Sequence, residues 1–294
     1  MRVHLPERSD CPGVIDFLLE NLLLLPFLFP AYLALEWVEA HAGDALERKL
    51  GRVSRWGPLF GAAAGVVPQC GFSAAAASLY AGGVVTAGTL IAVFLSTSDE
   101  LVPILLAESG VPAGFLVKLV AVKVLFAVVA GVAVNVFLYA IGRRGPSPHV
   151  GELCAHSRCS CSERKGIWAP ALIHTAEIFL FLLVVSGILH LALEHFGGED
   201  ALKGFVLNRP FAGEFVGGLV GLVPNCAASA ACAKLYAAGG MSAGALAASS
   251  FTGAGVGLLV LFRTHRHHLQ NLGILAATYV FGVVFGRLAG MLLA

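Results

Sequence analysis

The chain has 294 residues, of which 57% are hydrophobic and 13% are charged, and its mean hydropathy is +0.83. Soluble domains carry about 25% charged residues, so this composition excludes an ordinary soluble globule. The 19 Lys and Arg residues nearly balance the 18 Asp and Glu residues. This balance argues against a nucleic-acid partner, which requires a basic surface. The composition predicts an all-α polytopic membrane protein with room for about six to ten membrane elements.

The first half of the chain contains long apolar runs, and two stretches of it are interrupted. Residues 14–35 predict the first membrane span. Residues 58–67 and 71–82 are two short apolar runs separated by Pro68, Gln69 and Cys70. A helix of about 11 residues is about 16 Å long, which is half of a bilayer. Residues 84–107 form an apolar run broken by polar residues at 96–100, and residues 112–141 predict an unbroken span.

The second half repeats this order of elements. Residues 169–193 predict a span and residues 211–238 a pair of short runs, the next apolar run is broken at 252–255, and residues 271–292 predict a last span. Residues 65–92 align without a gap onto residues 221–248, and 16 of the 28 positions are identical. Such internal similarity predicts two membrane repeats, residues 1–145 and 167–294, joined by a cytoplasmic loop of residues 146–166.

The charges of the loops favour one of two topologies. If the interrupted pairs 58–82 and 211–238 are full spans, the repeats are parallel and the loop Lys and Arg residues divide almost evenly between the two sides. If the pairs are re-entrant or broken helical hairpins, the repeats are inverted, each has three transmembrane helices and one hairpin, and 11 of 15 loop Lys and Arg residues are cytoplasmic. The positive-inside rule therefore favours inverted repeats. Interrupted helices in inverted repeats are typical of secondary transporters with a central site.

The polar residues at the interruptions are the candidate substrate ligands. Amide, hydroxyl and carbonyl oxygens suit a hard cation or a polar solute, whereas thiols suit a thiophilic metal or metalloid. Cysteine is also a common small packing residue, and the sequence leaves both interpretations open. The predicted substrate-binding residues are Gln69, Cys70, Ser73, Ser96, Thr97, Ser98, Asn225, Cys226, Ser229 and Thr252.

Two carboxylates at predicted membrane depth, Asp99 and Glu100, are the candidates for coupling. Ionisable residues inside a membrane are energetically expensive and therefore point to function. We expect one of them to face the cavity as a cation ligand or proton carrier and the other to pair with Lys118 or Lys123. The predicted coupling residues are Asp99, Glu100 and Lys123, with a proton or sodium as the coupling ion.

Two loops contain residues that can bind metal. The central loop holds Cys154, His156, Cys159 and Cys161, which could form a soft-metal site, although their spacing is not that of a zinc finger. The alternative is a set of reduced, solvent-exposed thiols. Residues 265–268, His-Arg-His-His, are predicted to form a solvated turn. The sequence contains neither a Gly-rich phosphate-binding loop nor a nucleophile and a base at a catalytic spacing. We therefore expect neither an enzyme nor a cofactor.

Five segments together resemble a known bacterial family. They are residues 26–33 (PFLFPAYL), 67–75 (VPQCGFSAA), 88–100 (GTLIAVFLSTSDE), 222–227 (LVPNCA) and 255–263 (GVGLLVLFR). These segments are similar to the ten-transmembrane heavy-metal exporters, permeases related to arsenical permeases and also labelled manganese transporters or arsenic efflux proteins.

The resemblance implies a multi-pass permease of the bacterial inner membrane, with a homodimer as the candidate assembly. Its expected function is export of a heavy-metal ion or arsenic-type metalloid by alternating access. The alternatives are a manganese transporter that uses mainly oxygen ligands, and a polar-anion permease or channel.

Overall fold

The structure is a computed structural model that describes residues 56–66, 70–97, 101–107, 111–142, 211–224 and 226–293, together with single residues within 29–33 and 168–187. The regular secondary structure of these residues is α-helical. The helices are α1 (Gly57–Gly65), α2 (Cys70–Ala81), α3 (Ala87–Ser96), α4 (Leu101–Ala107), α5 (Ala113–Ala140), α6 (Ala212–Gly221), α7 (Cys226–Ala237), α8 (Ala243–Thr252), α9 (Gly255–Thr264) and α10 (His268–Leu293).

The helix interruptions predicted from the sequence are confirmed. In the first half, α1 and α2 are separate helices of 9 and 12 residues, and α3 ends at Ser96 before α4 begins at Leu101. In the second half, α6 and α7 have 10 and 12 residues, and α8 ends at Thr252 before α9 begins at Gly255. A helix needs about 20 residues to cross a membrane, and each of these helices is shorter.

The similar segments of the two halves fold with the same turn. Gly83 and Gly239 both adopt the left-handed conformation, with φ angles of 69° and 74°, which residues with a Cβ rarely adopt. Thr86 and Ser242 then cap the following helices, because each hydroxyl accepts the backbone N–H three residues later, at 3.1 and 3.2 Å. The sequence identity between residues 65–92 and 221–248 therefore extends to backbone conformation and capping.

Three helical segments are long and apolar enough to cross a membrane, which indicates a membrane protein. They are α5, α10 and α8 taken together with α9, Ala243–Thr264. Most of Ala243–Thr264 is buried, whereas α5 and α10 leave much apolar surface exposed. The first spans predicted for each half, residues 14–35 and 169–193, lie largely outside the described residues.

Packing follows the same order in each half and also crosses between the halves. Helix α3 packs between α1 and α5, and α8 packs between α6 and α10. Close helix contact depends on glycine: a Cβ on Gly131 would lie 2.6 Å from the carbonyl oxygen of Gly88, and a Cβ on Gly286 would lie 2.5 Å from Ala248 Cβ. Between the halves, α2 packs on α9 and α7 packs on α4. The helices α3, α5, α8 and α10 meet in the interior.

Candidate functional site

Lys123 on α5 lies fully buried where the two halves meet, with 0% of its surface exposed. Its ammonium donates to the carbonyl oxygen of Thr97 at 2.6 Å. It also donates to the carbonyl oxygen and the hydroxyl of Ser250, at 2.8 and 2.7 Å. Thr97 belongs to the first half and Ser250 to the second, so one side chain joins both halves at the interruptions of their helices.

The position of Lys123 is favourable for a cation because two helices end there. Thr97 is the C-cap residue of α3, and Ser250 lies in the last turn of α8. The carbonyl ends of helices carry partial negative charge and attract cations. Hydrogen bonds to a charged group each contribute about 1.5–3 kcal/mol, and they offset the penalty of removing the ammonium from water.

Phenyl rings close one side of this site. The Lys123 nitrogen lies 5.9 Å from the centre of the Phe251 ring. Phe251 contacts Phe285, with ring centres 5.9 Å apart, and Phe285 stacks on Phe126 at 4.7 Å. These rings come from α8, α10 and α5, and together they form an apolar cluster whose Phe251 ring lies beside the ammonium. Electrostatic interactions are stronger in such surroundings than in water.

The hydroxyls at the interruptions bond mainly to the ends of their own helices. Ser96 and Thr97 both donate to the carbonyl oxygen of Val93, at 3.0 and 2.7 Å. Thr252 lies within hydrogen-bond distance of the carbonyl oxygens of Ala248 and Gly218, at 3.1 and 2.8 Å. Gly218 is on α6, so Thr252 joins the interrupted helix of the second half to its neighbouring short helix.

Two further predicted residues lie on the short helices that precede the interrupted helices. Ser73 on α2 is buried, and it packs so closely on α9 that a Cβ on Gly257 would lie 2.8 Å from the Cβ of Ser73. Ser229 on α7 is half-buried. The structure therefore places Ser96 and Thr97 at the end of α3 and Thr252 at the end of α8, and of these residues Thr97 bonds to Lys123. It places Ser73 at the contact between α2 and α9.

Several predictions fall outside the described residues. These residues are Gln69, Asn225, Ser98, Asp99, Glu100 and the central-loop residues Cys154, His156, Cys159 and Cys161. Cys70 and Cys226 begin α2 and α7, but their side chains also lie outside the description. Of the two lysines considered as partners for Asp99 or Glu100, Lys123 is buried and Lys118 is exposed. Within the described part of the chain, no group of three or more His, Cys, Asp or Glu residues could hold a metal ion.

The structure adds functional candidates that the sequence analysis missed. Ser250 provides two of the three oxygens that accept the described hydrogen bonds of Lys123, and Cys232 on α7 forms a side-chain hydrogen bond with Ser249 on α8. Three hydroxyl residues, Ser249, Ser250 and Thr252, lie close together in an otherwise apolar helix. This pattern indicates that Ser249 and Ser250 belong to the same site as Thr252.

The turn between α9 and α10 departs from the solvated turn predicted for residues 265–268. His267 and His268 are exposed, but His265 is half-buried and its Nδ1 lies 2.6 Å from Asn271 Oδ1. Burial lowers the pKa of His265 below its ordinary value, and the neighbouring His267 and His268 lower it further, while the hydrogen bond with Asn271 opposes the shift. Asn271 also donates to the His265 carbonyl oxygen at 2.9 Å, so this turn is held by side chains.

No known protein family, curated protein or solved structure matches this chain. The resemblance to the heavy-metal exporter family therefore stays a prediction that depends on the five quoted segments.

Proposed function

We propose that the chain is a secondary-active permease of the bacterial inner membrane, which exports a heavy-metal ion or an arsenic-type metalloid in exchange for protons. The observation that carries this proposal is the burial of Lys123 between carbonyl oxygens of both halves. Buried ionisable groups at membrane depth are functional candidates by default, and a lysine can change its charge by releasing a proton.

In the proposed exchange, the Lys123 ammonium and the substrate compete for the same carbonyl oxygens. When Lys123 is protonated, its ammonium binds the carbonyl oxygens of Thr97 and Ser250. A cationic substrate that needs these oxygens is excluded by the ammonium, both by occupancy and by charge repulsion. Release of the Lys123 proton removes the charge and frees the oxygens. Substrate and proton then occupy the site in turn, which is the requirement for exchange.

Alternating access of two inverted repeats completes the proposal. Three observations support this part of the proposal. Most loop Lys and Arg residues lie on one predicted side, both halves contain two consecutive short helices, and the ends of α3 and α8 meet at Lys123. A single cysteine at Arg52, in a variant without the native cysteines, tests the topology. Inverted repeats predict that a membrane-impermeant maleimide does not label it in intact cells, whereas parallel repeats predict labelling.

The coupling role of Lys123 is tested by Lys123→Gln in proteoliposomes, with Lys118→Gln as the matched control on the exposed face of the same helix. We expect Lys123→Gln to reduce proton-gradient-driven transport by about tenfold or more, which corresponds to the loss of one hydrogen bond from a charged group. Exchange of substrate without a gradient should continue, and Lys118→Gln should behave as the wild type. Unchanged gradient dependence in folded Lys123→Gln would contradict the proposal.

The donor atoms favour a second candidate, a manganese or other divalent-cation transporter. The described groups around the ends of α3 and α8 are carbonyl and hydroxyl oxygens, which suit hard cations. Transport of manganese, cadmium and arsenite by wild type and by the Cys70→Ser/Cys226→Ser variant separates the candidates. Loss of cadmium or arsenite transport in the variant supports thiol ligands, whereas manganese transport that the variant retains supports oxygen ligands.

A further inference from the structure

Three oxygens from the two halves of the chain converge on the Lys123 ammonium. The carbonyl oxygen of Thr97 and the carbonyl and hydroxyl oxygens of Ser250 lie 2.6, 2.8 and 2.7 Å from Nζ. Oxygen ligands lie at about 2.0–2.1 Å from Mg²⁺ and at about 2.3–2.6 Å from Ca²⁺. The three oxygens are therefore spaced for a cation that is larger than these two ions.

Two of these oxygens are backbone carbonyls that the helix interruptions make available. The last carbonyls of an α-helix have no partner within the helix. Thr97 is the C-cap of α3, and Ser250 lies in the last turn of α8, where its carbonyl accepts a long bond of 3.4 Å from the Gly253 N–H. Such carbonyls carry partial negative charge, and they can replace the water around a cation as the carbonyl rings of potassium channels do.

Burial of the site selects the charge and the hydration of a cation that enters it. Thr97 and Ser250 are 1% and 5% exposed, and the Phe251 ring lies 5.9 Å from Nζ. An ion must lose its water in such a site, which favours weakly hydrated ions. The three described oxygens are neutral, and beside neutral ligands a single charge costs much less to bury than a double charge. An aromatic face at this distance adds attraction for a cation.

We propose that the Thr97 carbonyl oxygen and the two Ser250 oxygens form a site for a monovalent cation of the size of ammonium or potassium. In the wild type, Lys123 fills this site with its own ammonium, which is a cation tethered to α5. Shortening of the Lys123 side chain opens the site to a free cation. The site itself does not depend on the proposed function. Only its consequence for transport rests on that function: the exchange needs neither sodium nor potassium, because Lys123 already occupies the site.

Two variants open the site for a binding test. Lys123→Ala removes the ammonium and its stem, and Lys123→Thr introduces the residue found at the matching buried position of α10, Thr278. Lys118→Ala is the control, because Lys118 lies exposed on the same helix. The full-length proteins are purified in detergent with N-methylglucamine chloride. The thermal midpoint is then measured as ammonium, potassium or lithium chloride replaces this salt at constant ionic strength.

We expect ammonium and potassium to stabilise both Lys123 variants saturably, by about 2–4 °C at about ten times the dissociation constant. Lithium, a smaller ion, should stabilise them less. The midpoints of the wild type and of Lys118→Ala should be the same in all four salts. Addition of Ser250→Ala to Lys123→Ala removes the hydroxyl oxygen and should weaken ammonium binding by several fold.

Equal midpoints of the Lys123 variants in all four salts would overturn the proposal. Stabilisation by manganese chloride alone would overturn it too, and so would failure of both variants to fold in ammonium chloride. Proteoliposomes then separate the cation site from the proposed function. Wild-type transport of cadmium, arsenite or manganese under a proton gradient should be unchanged without sodium and potassium, and a requirement for either ion would overturn the proposal. Saturable ammonium binding by the variants, with no transport by the wild type, would refute the proposed function and support the cation site.

Discussion

The long helices α5 and α10 occupy matching places in the two halves, but at one matching buried position α5 has a charged residue and α10 a neutral one. Gly131 of α5 and Gly286 of α10 contact the matching residues Ala92 and Ala248. Eight residues before each glycine lie Lys123 and Thr278, both with 0% exposure. The Thr278 hydroxyl donates to the Ile274 carbonyl oxygen of its own helix at 2.8 Å, whereas Lys123 reaches the other half.

The two halves therefore share their helix packing but differ in the chemistry of one buried side chain. The two halves share glycine contacts, turns and caps, so their helices are arranged by the same rules. They differ in the side chain that enters the interior at Lys123 and Thr278. A repeated framework with a charged group in one copy can respond to protonation there, while the other copy keeps a neutral contact.

Removal of the two side chains should have unequal consequences. Lys123→Met should reduce transport by about tenfold or more, because Thr97 and Ser250 lose a charged donor. Thr278→Val should leave transport within about twofold, because the lost hydrogen bond is local and worth about 1 kcal/mol. Proteoliposome transport measures both, with size-exclusion chromatography as the control for folding. Equal losses of transport in the two variants would remove the distinction between the two positions.

The shared packing predicts equal sensitivity at matching glycines. Gly131→Ala and Gly286→Ala should each reduce stability by about 1–3 kcal/mol, because the added methyl group meets atoms of the adjacent helix. Gly114→Ala and Gly273→Ala are the matched controls on the same two helices. Their added methyl groups meet no atom within 4 Å, so these variants should be neutral or stabilised by up to about 1 kcal/mol. Thermal denaturation in detergent measures all four.

The caps provide a smaller test of the same symmetry. Thr86→Ala and Ser242→Ala each remove the acceptor of one helix N-terminal N–H. Loss of such a cap costs about 1 kcal/mol. We expect similar decreases in thermal midpoint for both variants, and a clear decrease in only one would show that the two turns differ in their contribution.

The smallest effect concerns pH and the turn at His265. Because the folded-state pKa of His265 is lowered, the unfolded chain takes up the proton first as the pH falls. Its contribution to stability is therefore complete above the ordinary pKa of histidine and decreases as the pH falls below it. His265→Asn should show a smaller decrease in thermal midpoint between neutral and mildly acidic pH than the wild type, and equal decreases would contradict this assignment.

Much of the local structure could be predicted from the sequence. Pro68, Pro224 and the polar residues at 96–100 and 252–255 interrupt apolar runs, and the helices end close to these positions. Helix bounds differed slightly: α3 begins at Ala87 rather than residue 84, because Thr86 is its cap.

The partners of the side chains could be predicted less well. Nothing in the sequence indicated that Lys123 donates to Thr97 and to Ser250, which is 127 residues away in the chain. The predicted pairing of Lys118 or Lys123 with Asp99 or Glu100 lies outside the described residues and stays a prediction. Such long-range contacts depend on how the halves pack, which periodicity does not encode. The ion pair between Glu214 and Arg287 was missed for the same reason, since their side chains meet only when α6 packs on α10.

The packing of α2 on α9 and of α7 on α4 has a consequence for biosynthesis. The surface of α2 that contacts α9 is made early, but α9 is made near the end of the chain. The first half must therefore enter the membrane with part of its interior uncovered, and it acquires its final contacts only after the second half is inserted. Such long-range completion is slow compared with local helix formation. The incompletely packed first half must therefore escape degradation by membrane proteases until the second half has been synthesised and inserted.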